Sequence, residues 1–66
     1  MTKAEAIVQM EKGIKMTHKY FTPEEWVYIG ANGLYVLEDG VECTPSEFWE
    51  WRQNEYWNAD WNYWQK

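Results

Sequence analysis

The first thirteen residues carry hydrophobic side chains at the spacing of one helix face. This spacing of three and four residues predicts a helix over residues 1–13 that lies on a sheet. Thr2 and Glu5 match the capping pattern in which a hydroxyl and a carboxylate bind the first free amides of a helix. The predicted apolar stripe consists of Ala4, Ile7, Val8 and Met10.

Residues 14–21 change to strict alternation, which predicts a strand with two unlike faces. One face is largely apolar and consists of Ile14, Met16, His18 and Tyr20. The other face is basic and consists of Lys15, Thr17, Lys19 and Phe21. The lysines and the histidine of this strand form a local cationic cluster that suits one or two phosphate groups.

Turn signals divide the middle of the chain into a meander. Thr22, Pro23 and Glu25 repeat the capping pattern, but the β-forming residues that follow predict only a single helical turn. The Asn-Gly pair at residues 32–33 predicts a tight hairpin, because both residue types tolerate positive φ. The Asp-Gly pair at residues 39–40 predicts a second turn. The predicted strands span residues 26–30, 34–37 and 41–43.

The last third of the chain holds most of the aromatic mass. Eight of the seventeen residues in 48–64 are aromatic, and they include five of the six tryptophans. Thr44, Pro45 and Glu47 give the capping pattern a third time and predict a helix that continues to about residue 53. Alternation from Trp57 to Trp64 then predicts a C-terminal strand.

These elements add up to a single α+β domain over residues 1–66. We expect an N-terminal helix packed on a small antiparallel sheet of four to five strands, with a short second helix before the C-terminal strand. A chain of this length buries only about 60% of its unfolded surface. Cys43 is the only cysteine and His18 the only histidine, so neither a disulfide nor a Cys/His zinc site is expected. We therefore expect a homo-oligomer, a dimer or a tetramer.

Charge is distributed unevenly along the chain. Residues 1–20 hold four lysines against two glutamates, whereas residues 24–60 hold nine acidic residues against Arg52 alone. The net charge of −5 makes the chain a poor binder of nucleic-acid backbones. No apolar run approaches the ~20 residues of a membrane span, and no secretory signal is visible, so we expect a cytosolic protein without membrane or nucleic-acid partners.

A flat, polar, phosphorylated ligand would find suitable side chains in this sequence. Aromatic rings stack on bases, cations and hydroxyls bind phosphates, and amides or carboxylates bind ribose hydroxyls. The candidate stacking residues are Trp26, Trp57 and Trp61; the candidate phosphate ligands are Lys15, Thr17, His18 and Lys19; the candidate ribose ligands are Asn58 and Asp60. Each has a structural alternative: the rings as core or subunit interface, the lysines as solvated charges, and Asp60 as a cap or as a partner of Arg52.

Catalysis is the weakest interpretation of the sequence. His18 has no nearby serine or cysteine nucleophile, and the adjacent acids at residues 24–25 and 38–39 fall in predicted turns, where carboxylates are solvated. The glycines belong to turns rather than to a phosphate-binding loop. We expect no enzyme activity, no metal and no cofactor.

Two segments resemble the phage Thoeris anti-defence 2-like family. The first runs from Glu5-Ala6-Ile7 through Gly13 and the strand to His18-Lys19, and resembles the family's N-terminal "EAL…L-x-x-G-K-x-V-x-R-x-x-W" pattern. The second, residues 55–61, resembles its closing D-x-x-A-x-D-W signature. The sequence departs from the family patterns at four positions. Phe21 stands where the family usually has Trp, His18 where Arg is common, Glu55 in place of Asp, and Asn58 in place of Ala. The residues matched by position are His18, Phe21, Asp60 and Trp61.

The resemblance implies a specific function. Members are small phage proteins that assemble into homo-oligomers and sequester cyclic ADP-ribose-type signals, or cyclic dinucleotides, without cleaving them. It therefore implies a cyclic nucleotide ligand and an anti-defence role in the cytoplasm of an infected bacterial host. The main alternative is a protein that inhibits a defence effector such as a CRISPR nuclease, with the acidic stretch 38–50 as its contact surface. Sugar binding by exposed tryptophans is a third possibility.

Overall fold

The computed structural model describes residues 1–65, which form two α-helices, one 3-10 helix and five short strands. All strand pairs are antiparallel, and their order across the sheet is β4-β3-β2-β1-β5. The α+β architecture predicted from the sequence is confirmed. The elements are α1 (Lys3–Glu11), β1 (Met16–His18), β2 (Val27–Ile29), β3 (Tyr35–Leu37), β4 (Glu42–Cys43), α2 (Pro45–Glu50), a 3-10 helix (Glu55–Asn58) and β5 (Trp61–Tyr63).

Both α-helices begin at the predicted capping boxes. At α1, the Glu5 amide donates to the Thr2 hydroxyl (3.2 Å) and the Thr2 amide donates to the Glu5 carboxylate (2.8 Å). Thr44 and Glu47 repeat the same pair of hydrogen bonds at α2, at 3.2 and 2.9 Å. Side chains three residues away in the sequence thus satisfy four amides that would otherwise be free, so both helix starts can be predicted from local sequence.

The two hairpins of the meander share one loop geometry. In the first, the Gly33 amide donates to the Gly30 carbonyl, and the Leu34 amide donates to the Asn32 side chain. In the second, Gly40 and Asp39 make the equivalent hydrogen bonds. Only the glycine of each pair has positive φ, at 85° and 86°, so each loop is a type I turn closed by a left-handed glycine and not the two-residue turn expected from Asn-Gly.

The core lies between one face of the sheet and the two α-helices. α1 contributes Ala6 and Met10, and α2 contributes Phe48, all of which are buried. The sheet residues that meet them are Met16, Val27, Tyr35 and Trp61. The helical stripe predicted from the sequence was partly wrong, because Ala4 and Val8 are exposed and Ala6 takes the buried position.

The first strand is shorter than predicted. β1 ends at His18, because the Phe21 amide donates to the His18 carbonyl (2.9 Å) and reverses the chain. This turn breaks the alternation that the sequence suggested. Phe21 packs against the core, whereas Tyr20, predicted on the apolar face, is 58% exposed.

The predicted helix to residue 53 was too long. α2 ends at Glu50, and the Arg52 guanidinium donates to the Phe48 carbonyl (3.0 Å). In a continued helix that carbonyl would accept from the Arg52 amide, which here donates to Trp49 instead. The side chain of Arg52 therefore takes the place of the next helical hydrogen bond.

The predicted strand over residues 57–64 was also too long. Residues 55–58 form a 3-10 helix, and only Trp61–Tyr63 are extended. Asp60 separates the two with a φ of 68°, a conformation that aspartate tolerates better than most residues. The Trp61 indole then donates to the Trp57 carbonyl (2.7 Å), which holds the short helix against the strand.

Candidate ligand-binding surfaces

The ten predicted ligand residues are distributed over the interior and two sides of the molecule. Four of them share one aromatic cluster beneath the 3-10 helix, which we call the interior cluster: His18, Phe21, Trp57 and Trp61. Three lie on the sheet face that points away from the helices: Lys15, Thr17 and Trp26. Three are exposed at two surface grooves: Lys19, Asn58 and Asp60.

His18 holds the interior cluster together through both ring nitrogens. Its Nδ1 accepts from the Tyr20 amide at 3.1 Å, so Nε2 carries the proton in this arrangement. Nε2 then donates to the carbonyls of Ala59 (2.7 Å) and Tyr56 (2.9 Å), at the end of the 3-10 helix. With 3% of its surface exposed and both nitrogens engaged, His18 has no free group for a phosphate.

The tryptophans of the interior cluster have packing roles. The His18 ring centroid lies 4.3 Å from that of Trp57 and 4.9 Å from that of Trp61. Trp61 is 2% exposed, and Trp57 and Phe21 are half-buried against the same core. The rings pack against one another in tilted and edge-on contacts, as in the structural alternative considered for the tryptophans.

The second face of the sheet carries a different aromatic group, which we call the open face. Thr17 pairs with Asn62 and Tyr28 pairs with Val36, and alternation places these side chains opposite the residues that meet the helices. Neither α-helix packs on this side, because both bury their side chains against Met16, Val27, Tyr35 and Trp61. The open face consists of Lys15, Thr17, Trp26, Tyr28, Val36, Glu42, Asn62 and Trp64.

Lys15 is held between tryptophans on the open face. Its ammonium nitrogen lies 4.3 Å from the ring centroid of Trp26 and 5.5 Å from that of Trp64. Trp26 also stacks on Tyr28, with centroids 5.7 Å apart and ring planes 23° apart. The Trp64 indole donates to the Pro23 carbonyl at 2.9 Å, which fixes the orientation of that ring. A cation and three oriented rings thus share one surface.

A groove lies between the start of α1 and α2, on the helical side of the molecule. Its volume of about 700 Å³ is within the range of small-molecule sites. We call it the α1–α2 groove, and its principal lining residues are Lys3, Trp49, Glu50, Arg52, Gln53 and Asn58. Of the residues predicted to bind ligand, it contains Asn58.

A smaller groove follows the edge of β5. Its exposed side chains are those of Lys19, Asp60 and Asn62, while the buried His18 and Trp61 lie at its base. The Lys19 amide donates to the Asp60 carbonyl at 3.2 Å, which keeps the two residues adjacent. Asp60 does not reach Arg52, whose guanidinium lies over the Phe48 ring at 4.0 Å.

The reactive side chains outside these surfaces are not activated. Burial raises the pKa of the Cys43 thiol, and the nearby Glu47 carboxylate raises it further. Burial also raises the pKa of Tyr35, whose hydroxyl accepts a hydrogen bond from the Trp49 indole at 2.9 Å. A thiol or phenol with a raised pKa is a weaker nucleophile near neutral pH.

Sequence reasoning missed most of the α1–α2 groove and five open-face residues, namely Tyr28, Val36, Glu42, Asn62 and Trp64. Tyr28 alternates with the predicted Trp26 along the chain, so its place on the same face could have been predicted. Trp64 reaches Lys15 only through the pairing of β5 with β1, and Lys3 and Arg52 line one groove only in the folded chain.

No protein-family model, curated protein or solved structure matches this chain. Within residues 1–65, no helix has the length and hydropathy needed to cross a membrane.

Proposed function

We propose that the protein is a non-enzymatic sponge that binds a cyclic nucleotide immune signal on the open face and holds it without cleavage. The observation that carries this proposal is the Lys15 ammonium group placed 4.3 Å from Trp26 beside two further rings. Flat bases stack on such rings, and each stacked base contributes about 1–3 kcal/mol to binding. The signal is of the cyclic ADP-ribose type made by Thoeris immunity, or a cyclic dinucleotide.

The open face supplies each kind of contact that such a ligand needs. Lys15 supplies the charge for a phosphate, and Trp26 and Trp64 supply ring surface. Thr17 and Asn62 form a cross-strand pair next to these rings, where a hydroxyl and an amide can bind ribose oxygens. The residues of the interior cluster act indirectly, by fixing β1 and β5 against each other.

A second copy of the chain completes the site in this proposal. An open sheet face is too flat to enclose a ligand, whereas two such faces opposed to each other form a cleft. Lys15 lies at β1 and Glu42 at β4, on opposite sides of the sheet centre. A two-fold axis parallel to the strands brings Lys15 of each copy toward Glu42 of the other, so the face is self-complementary in charge. The assembly acts in the cytoplasm of the infected host.

A thermal-shift panel tests the proposal. A ligand at about 100 times its Kd adds roughly 2.7 kcal/mol of stability, which for a small domain raises Tm by more than ~10 °C. The first compounds to test are cyclic ADP-ribose isomers and cyclic dinucleotides. We expect a shift with one of them that Lys15→Gln abolishes and that Lys12→Gln, an exposed change directly after α1, leaves intact.

The ligand must also be recovered chemically unchanged. Heating the complex, filtering it and analysing the filtrate by mass spectrometry should return the intact cyclic nucleotide. A hydrolysed product would show that the protein is an enzyme. Absence of any shift across the panel would remove the sponge proposal.

One observation favours the alternative of a protein-binding inhibitor. Trp51 is 82% exposed at the end of α2, next to the exposed carboxylate of Glu50. Tryptophans of this kind anchor protein interfaces, and acidic neighbours suit a basic groove on a nuclease. Two results together would establish this second function. The protein would form a stable complex with a defence effector that Trp51→Ala disrupts, and no nucleotide of the panel would raise its Tm.

A further inference from the structure

In the described part of the chain, two cations line the α1–α2 groove without an ion pair to a carboxylate. Within residues 1–65, the Arg52 side chain donates only to the Phe48 carbonyl, at 3.0 Å, and its buried Nε has no hydrogen-bond acceptor. The Lys3 ammonium lies 4.1 Å from the ring centroid of Trp49 rather than against an acid. This is unusual in a chain with eleven acidic residues and only six basic ones.

Arg52 is already desolvated in the absence of a partner. Its guanidinium carbon lies 4.0 Å from the centroid of Phe48 and 5.5 Å from that of Trp57. Burial lowers the pKa of Arg52, and the weaker attraction of Cys43 and Glu25 does not offset this effect. An oxyanion that reaches the guanidinium would therefore gain a charge-assisted hydrogen bond without a large further loss of hydration.

Trp49 links Lys3 to the part of the core on which Arg52 packs. Its indole donates to the Tyr35 hydroxyl at 2.9 Å and its ring meets Phe48 edge-on, with centroids 4.8 Å apart. The ring that supports Lys3 is thus attached to the core that supports Arg52. This rigid arrangement places both positive groups before any ligand arrives, which lowers the cost of binding.

We propose that the α1–α2 groove binds the phosphate or carboxylate group of a small molecule between Arg52 and Lys3. This site is separate from the open face, which lies on the other side of the sheet. Arg52 provides a planar donor group that matches either oxyanion, and Lys3 provides a point charge. The exposed amide of Asn58 lies in the same groove and can donate to the remaining oxygens.

Two acidic residues limit which ligands the groove accepts. Glu47 lines it but is engaged in the capping box, where it accepts from the Thr44 amide at 2.9 Å. Glu50 lines it with an exposed carboxylate. Repulsion from Glu50 opposes every anion, so its removal must tighten binding if the proposed site exists.

An NMR titration of the full chain tests the proposal with inorganic pyrophosphate and citrate as probes. The reporters are the Arg52 Nε–Hε and Trp49 indole signals. We expect saturable shifts at both, with pyrophosphate favoured if the natural group is a phosphate and citrate favoured if it is a carboxylate. Lys3→Gln should weaken binding by about threefold to tenfold, whereas the control Lys12→Gln should leave it unchanged.

Glu50→Gln supplies an independent test, because it predicts a gain. This change removes an exposed carboxylate and should tighten binding of both probes, most clearly at low salt. Lys3 is half-buried and Glu50 is exposed, and neither belongs to the buried core, so the test does not depend on an Arg52 variant that unfolds. Linear shifts without saturation, equal affinity in the wild type and Lys3→Gln, or weaker binding in Glu50→Gln would each overturn the proposal.

Discussion

Replacement of His18 by alanine should destabilise the fold strongly and act on ligand binding only through the fold. The substitution removes the donor to the Ala59 and Tyr56 carbonyls and the acceptor for the Tyr20 amide. Each such hydrogen bond contributes a net of about 0.5–1.5 kcal/mol. The lost ring contacts with Trp57 and Trp61 contribute about 0.5–1.5 kcal/mol more. Together these contributions predict a loss of about 2–6 kcal/mol in the free energy of unfolding.

Urea unfolding followed by far-UV circular dichroism measures this loss. At about 4–8 °C per kcal/mol for a domain of this size, the loss lowers Tm by at least roughly 8 °C. The control is Lys19→Ala, an exposed neighbour whose removal should change stability by less than about 0.5 kcal/mol. Nitrogen-15 NMR of the imidazole should show the proton on Nε2.

Two results would contradict the structural role of His18. The first is a stability change of less than about 1 kcal/mol in His18→Ala together with complete loss of ligand binding. This combination would assign the imidazole to the ligand rather than to the fold. The second is a proton on Nδ1, which would contradict the hydrogen bond accepted from Tyr20.

Three further predictions follow from other residues. Asp60 has positive φ, so Asp60→Val should cost about 1–2 kcal/mol in unfolding free energy while Asp60→Asn stays near the wild type; equal losses would contradict this. The Thr2 and Thr44 amides lower the pKa of Glu5 and Glu47 below the ordinary value of 4.5. The two carboxylates therefore stabilise the fold above pH 4.5, and this contribution is lost as the pH falls through their lowered pKa values. The urea unfolding midpoints of the Glu5→Gln and Glu47→Gln variants should depend less on pH in this range than the midpoint of the wild type. Lys15→Glu or Glu42→Lys alone should weaken self-association in sedimentation experiments at low salt, and the double exchange should restore it; a monomeric wild type, or no rescue, would reject the opposed-face dimer.

Local sequence signals predicted the elements whose hydrogen bonds are local. The Thr2/Glu5 and Thr44/Glu47 boxes give both helix starts, and the glycines at positions 33 and 40 give both hairpins. In each case the residues that decide the conformation lie within three positions of one another. Such patterns need no knowledge of the rest of the chain.

The sequence failed where a distant partner decides the outcome. The alternation from Trp57 onward suggested one strand, but His18 binds the Ala59 and Tyr56 carbonyls from 41 and 38 residues away and stabilises a 3-10 helix instead. Arg52 similarly ends α2 through its side chain. The candidate site shows the same division. Lys15 and Thr17 share a face by alternation, whereas the place of Trp26 beside them depends on the β1–β2 register, and the common groove of Lys3 and Arg52 depends on the tertiary fold.

The decisive measurement of cyclic nucleotide binding at the open face uses the indole NMR signals of the six tryptophans. Titration with the cyclic nucleotide that gives the largest thermal shift should move the signals of Trp26 and Trp64, which lie beside Lys15. The signals of Trp57 and Trp61 should stay in place, since their rings pack in the interior cluster. Large shifts at Trp57 and Trp61 with none at Trp26 and Trp64, or no shift at any indole, would contradict the account.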